Sequence, residues 1–594
     1  MTRLSRLWAR RRVAMESDDN QEADRLLAEA IVLRHELGVQ RLDPIAFALV
    51  READAAIEAG AVTLAAARLD AAQQLAPKLP EVSEARARLA FAESPYALHR
   101  VAMSKVSALS FEWRDFQRRM LLLSDGLLTA LVLGVVLGLL FLIAQFVRYG
   151  LHLYHDLGQA FPAVMRFVLL ATALTVVVLP LFYGIGPFML VFPAAIALWL
   201  YQTVSERAVM VALICALGLA PWVLRAGDRL SDASTGLVGA LHALEINPYD
   251  QQARATVAAG AKADDADWHA QAVLGSALKR AGQLDEAAQM LSDAATIVTD
   301  RSLRGLLFVN LGNTWFGLGR PLAAEDAYRR AAKLLRSDPR PHFNLHRLYL
   351  RQRRMPEAEA AFKKASALAS QRVAAWNQDD DPGLNRFVVD APLPASVLTK
   401  RALSNLVEPA SFAHRIWVGF AGPLPELTAP ISAGVTLLAC LLLFGLRKRL
   451  LLSWPCSRCG RRAEVVIYPE RPDGPFCQSC EDLFVHNKPM DRATRFQKES
   501  EIERFGGLLR WGGRLCTVLL PGFGALVAGR TVRGVLIAGL ALWLMLRLVL
   551  PGGVLFGPFS PEMASSMGHW IIVGALALLW LQAAYGVIRT REAS

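Results

Sequence analysis

Seven apolar segments, each about as long as a hydrocarbon core is thick, fix the first property of this chain. They fall near residues 127–147, 167–183, 186–203, 208–224, 428–446, 533–550 and 569–588. An eighth stretch, 515–528, is short and broken by Pro521-Gly522, so it reads as re-entrant or interfacial. In lipid every backbone N–H and C=O needs an internal partner, which makes such segments helices. Over 594 residues, 54% hydrophobic content and a mean hydropathy of +0.30 agree with a multi-pass membrane protein. A net charge of +12 would raise nucleic acid as a partner for a soluble chain. Here the basic residues gather at the ends of apolar segments: Arg114, Arg118 and Arg119, then Arg447-Lys448-Arg449, then Arg589 and Arg591.

Four of the seven cysteines form two C-x2-C knuckles, Cys456-Ser-Arg-Cys459 and Cys477-Gln-Ser-Cys480, separated by 17 residues. Two sulfurs from each knuckle can meet one tetrahedral ion, and the spacer is long enough for a β-hairpin. The spacing predicts a structural zinc ribbon. Gly460 relieves the first knuckle turn, 464–468 reads as a strand, and Arg471-Pro-Asp-Gly474-Pro reads as a turn. Cys215, Cys440 and Cys516 lie in apolar segments. No disulfide framework emerges, which favours a reducing location for the ribbon.

A helical pattern recurs with a period near 34 over 267–370. Its first unit has Leu274-Gly275, Leu278, Gly282, Ala287, Leu291 and Ala294. The second has Leu311-Gly312, Trp315, Gly319, Ala324, Tyr328, Ala331 and Pro339; the third has Leu345, Tyr349, Ala358, Phe362 and Ala365. These residues resemble the tetratricopeptide repeat, a helix–turn–helix unit of 34 residues. A degenerate unit ends at Pro248, and Gly60, Ala65, Leu69, Ala72 and Pro77 mark another near the N-terminus. The resemblance implies an α-solenoid whose concave groove docks a protein partner. Generic Ala-rich helical hairpins would give a similar fold.

The rest of the chain divides around these features. Residues 1–120 form an N-terminal helical domain with degenerate repeats, 121–226 a first membrane block of about four helices, and 227–375 the repeat domain. A Pro-rich linker occupies 376–427, a transmembrane helix 428–446, the ribbon 450–490, a basic amphipathic helix 491–514, and a membrane hairpin with spans 515–594. Met1 to Val13 is basic with no apolar run after it, so the N-terminus is expected in the cytoplasm. The three acidic residues Asp379-Asp-Asp381 read as a solvated turn; whether they sit in the repeat groove is left open. The helix at 491–514, with Phe496, Ile502, Phe505 and Trp511, suits an anionic membrane surface. Pro521-Gly522-Phe-Gly524, Gly529-Arg530 and Gly534 resemble a hairpin found before the final spans of several small bacterial membrane domains, some of them joined to zinc ribbons.

Sidedness contains a conflict. If every strong segment spans, four crossings keep the N-terminal and repeat domains in the cytoplasm and the fifth exports the ribbon. The arginines and thiols of the ribbon argue for a cytoplasmic ribbon, which would put the repeats outside; the reading leans that way. Two histidine pairs are discounted as metal sites: His152 with His155 beside Asp156 lacks a further ligand, and His342 with His346 occupies repeat-packing positions. No P-loop, dinucleotide fingerprint or nucleophile elbow occurs. Clear spans lack acidic residues, which disfavours coupled transport. The expectation is an all-α protein: polytopic membrane helices plus a tetratricopeptide-like α-solenoid, with a small zinc-ribbon insertion. It is a non-enzymatic scaffold in a cytoplasmic (inner) membrane, contacting the lipid bilayer and protein partners. A transporter or channel component and nucleic-acid binding through Arg458, Arg461 and Arg462 are the alternatives, the latter disfavoured; the oligomeric state is open.

Overall fold

A computed structural model describes residues 2–17, 19–37, 39–160, 191–377, 384–404, 411–446, 454–456, 458–463, 476–489, 491–550 and 566–589. Nearly all of them are helical, and they divide into two compact units. The first unit comprises Met1–Leu121 with Leu230–Asn405, and the second Leu122–Arg229 with Leu406–Ser594.

In the first unit helical hairpins stack in a solenoid-like array. Local chemistry starts the helices: the side chains of Asp250, Asp267 and Asp300 accept hydrogen bonds from Ala253, Ala270 and Leu303 N–H. Small residues on the second helix of each hairpin then let the pair close. Ala287 and Ala294, Ala324 and Ala331, and Ala358 and Ala365 are all buried, with Leu291 and Tyr328 filling the space beside them. Trp315, read as core, is only partly buried and bridges two core clusters. The N-terminal hairpins belong to the same unit. Gln40 N–H donates to Ile246 C=O at 3.2 Å, Arg41 pairs with Asp115 at 2.6 Å, and Gln117 Nε2 donates to Gly239 C=O at 3.0 Å. The two regions read as separate domains thus share one compact unit.

In the second unit the pattern is inverted. Among the described residues four helices are long and apolar enough to cross a membrane, spanning Phe116–Asp156, Val204–Ile246, Thr428–Leu446 and Thr531–Val549. On Thr428–Leu446 the small residues Ala429, Ala433 and Cys440 turn inward, while Ile431, Val435, Leu438 and Leu442 are exposed. Segment 167–183 lies outside the described residues. Of 186–203, the described part holds only the short helix Val191–Leu198 and a 3-10 turn.

Charged groups mark the two ends of this bundle. Arg148 pairs with fully buried Glu206 at 2.7 Å, and Tyr149 Oη donates to the same carboxylate at 3.0 Å. At the other end Arg547 pairs with Asp125 at 2.7 Å and Arg225 with Glu426 at 2.6 Å. Asp125 and Arg148 lie on one helix, 23 residues apart. That separation is about 35 Å of helical rise, against about 30 Å for a hydrocarbon core. The pairings also set direction: Phe116–Ala160 runs antiparallel to Val204–Thr235 and to Thr531–Val549. Arg207, beside Glu206, covers the Phe444 ring at 5.2 Å, so Thr428–Leu446 is antiparallel to Val204–Thr235 as well. At the Pro-Gly hairpin, Gly522 adopts φ +90°, and a Cβ there would stand 2.5 Å from Ala538 N. The turn requires glycine for both reasons.

Candidate functional site

The two knuckles converge. Cys456, Cys459, Cys477 and Cys480 are all buried, and their sulfurs lie within 4.8 Å of one another. Cys459 and Cys477 Sγ are 3.6 Å apart. A disulfide would need about 2.05 Å. Four thiolates held about 2.3 Å from a central zinc would stand about 3.8 Å apart, so the cluster fits a tetrahedral ion. The backbone builds this arrangement. Cys456 N–H donates to Arg461 C=O at 2.7 Å, Gly460 N–H to Cys456 C=O at 2.9 Å, and the Cys480 and Glu481 N–H groups both reach Cys477 C=O at 2.9 Å. Gly460 takes φ +69° and faces the Phe505 ring, with no room for a Cβ. Trp454–Pro455 and Arg462–Ala463 pair antiparallel around the first knuckle. The strand and turn expected at 464–474 lie outside the described residues.

Electrostatics favour a cation at the centre. Burial pushes the Cys480 thiol far up, and the neighbouring thiol groups push the same way. Four sulfurs so close cannot all ionise without positive charge among them. The helix Arg492–Leu519 supplies part of that charge: Lys498 is buried, bonds Cys459 and is held by Glu501 at 2.9 Å. Ile502, from the same helix, packs on the cysteines. The face read as membrane-binding is therefore divided. Ile502 and Phe505 face the knuckles, whereas Phe496 and Trp511 are exposed. Two of the arginines crowding the knuckle have partners within the fold, Arg461 with Glu501 and Arg458 over the Phe484 ring at 5.3 Å.

A second site is one that the sequence reading left out. Part of the expected linker lies across the first helices of the repeat hairpins. Asn310 clamps Ala391, donating to its C=O at 2.9 Å and accepting from its N–H at 2.8 Å. Asn344 clamps Val389 in the same way, at 2.9 and 2.8 Å. The two asparagines are 34 residues apart, one repeat, and the residues they hold are two apart. Backbone groups two residues apart that face the same way are those of an extended strand. Between the clamps, Asp390 receives Lys279 at 2.7 Å, Arg280 at 3.1 Å and Asn313 at 2.8 Å. Burial opposes its ionisation, but Lys279 and Arg280 hold its carboxyl well below the usual range. Val388 is buried with Phe316, Tyr328 and Leu345, the Phe387 ring stacks on Phe316 at 5.6 Å, and Leu393 packs near Leu307 and Leu311.

The signal for this site was in the sequence. Asn310, Asn313 and Asn344 stand inside helices, where asparagine is a poor choice without a partner for its amide. Among the described residues no other group of three or more metal-binding side chains gathers. His155 bonds Asp156, which also accepts from Tyr201, and His346 bonds Ala358 C=O while packing beside Phe362. The acidic turn at 379–381 lies outside the described residues. No protein-family model matches this chain, and no curated protein matches it either.

Proposed function

We propose that the chain is a membrane-anchored scaffold whose tetratricopeptide-like solenoid binds a protein partner, in the assembly or organisation of an envelope-associated complex. The observation that carries this reading is the ladder of Asn310, Asn313 and Asn344, which engages an extended backbone rather than a small molecule. The four cysteines hold a structural zinc that folds a module too small to bury a core of its own. The site performs no chemistry on a substrate. Between the charged layers the spans pack Leu, Phe and Ala, which supports an anchor better than a transport path.

A photo-crosslinking residue in place of Phe316, in intact membranes, is expected to give a discrete protein adduct that is absent when the label sits at exposed Leu322. No adduct at Phe316 would count against the scaffold reading.

The same reading carries a topology. The N-terminal and repeat hairpins form one unit and share one face. Among the described residues one candidate span, Thr428–Leu446, separates the repeats from the knuckles along the chain, so a crossing there puts the cysteines on the opposite face. Single cysteines at Asn377 and Asn487 should then react with an impermeant thiol reagent from opposite sides. Reaction of both from one side would sink this arrangement.

A further inference from the structure

The segment Phe387 to Leu393 occupies the solenoid as a peptide would. The asparagines grip Val389 and Ala391 through their backbone atoms, while the buried Ala391 methyl beside Leu306, Val309 and Ala331 restricts that position to a small side chain. Asp390 is the one polar side chain of the segment held by the floor, through Lys279, Arg280 and Asn313. With the segment in place the floor is closed to water: Lys279 is 1% exposed, and Asn313 and Asn344 are fully buried. Stripped of the segment, Lys279, Asn310 and Asn344 would exchange these partners for water. The resident segment nevertheless leaves the site incompletely filled. A cavity of about 250 Å³ lies beside Ala391, Pro392 and Leu393, lined by His242, Ser276 and Arg280.

We propose that Phe387 to Leu393 is an exchangeable internal ligand, and that the partner displaces it with an extended segment of like chemistry. The pattern read from the resident is an aspartate with apolar residues three positions before and three after, here Phe387 and Leu393. This inference rests on the scaffold reading and adds what the groove takes and how access to it is controlled. A tethered ligand acts at an effective concentration in the mM range, so a free partner segment meets a strong competitor. The clamps set orientation, the Lys279–Arg280–Asn313 trio selects acid, and the cavity accepts a larger side chain than the resident supplies.

The test uses the full-length protein in detergent and a fluorescent synthetic peptide with the sequence of residues 385–395. The Asp390→Asn variant weakens the resident while keeping its size. It should bind the free peptide at least tenfold more tightly than the parent protein does, and adding Asn344→Ala should abolish that gain. A peptide with lysine in place of its aspartate should not bind. If Asp390→Asn melts as the parent does and yet gains no affinity, the segment is a fixed part of the fold and the proposal falls. If that variant fails to fold, hydrogen exchange on the parent protein decides. Excess peptide should expose the Val389 and Ala391 amides, and unchanged protection would overturn the exchange. Exchange seen here, with no partner crosslinked in membranes, would uphold this inference and defeat the scaffold reading alone.

Discussion

The two units bury opposite things. In the solenoid, alanine, leucine and tyrosine pack inside, and charge that enters, such as Lys279 with Asp390, is paired. On the helix Thr428–Leu446 the alanines and a cysteine are inside, and Ile431, Val435, Leu438, Leu441 and Leu442 point outward. Hydropathy alone ranks both sets of leucines equally. What separates them is the surroundings each fits: the outward leucines of Thr428–Leu446 are compatible with a membrane. The solenoid gains stability by taking leucine out of water, whereas a bundle in lipid gains little that way and depends on close approach of small residues and on ion pairs at its ends.

The sharpest test of that contrast is the one place where neither solvent holds the fold together. Among the described residues few apolar side chains pack around the cysteines, chiefly Phe476, Ile502 and Phe505, so the ion should supply most of the stability. Cys459→Ser, or a strong chelator, should unfold the knuckles, since structural zinc contributes on the order of 10–16 kcal/mol in small modules. Metal analysis of the purified protein and exchange protection over Gln478–Phe484 would report it. Equal metal content in variant and parent would remove the assignment. Next in size is a matched pair of leucines. Leu291→Ala should destabilise the solenoid by about 2–5 kcal/mol, because its side chain is fully buried. The same change at Leu441, which is 67% exposed, should stay within about 0.5 kcal/mol in detergent. Denaturant-dependent hydrogen exchange on the full chain reads both. Comparable losses would mean that Leu441 packs against protein, and the inverted reading of that helix would fail.

Much of this architecture was legible in the residues. The cysteine spacing placed all four sulfurs of the cluster, because two knuckles have few ways to share an ion. Small residues at repeat positions located the hairpins, and the described apolar segments long enough to cross a membrane are helices. What escaped was set by partners far away in sequence. Lys498 reads as one more basic residue of a surface helix until Cys459 is found beside it. Asp390 sits in a proline-rich stretch with linker composition, and its anchor Lys279 lies 111 residues earlier. Periodicity reports which face of a helix is apolar. It does not report what a buried amide on that face is waiting for.

The order of synthesis gives the occupied groove a history. Translation completes both clamps, Asn310 and Asn344, before it makes the Val389 and Ala391 that they hold. Asn344 precedes Ala391 by 47 residues, an interval of about 2–10 s at ordinary elongation rates. During that interval the newborn clamps have no resident. A partner waiting at the site of translation would meet an open seat, whereas one arriving later must dislodge an incumbent. The protein would then favour companions made nearby and at the same time.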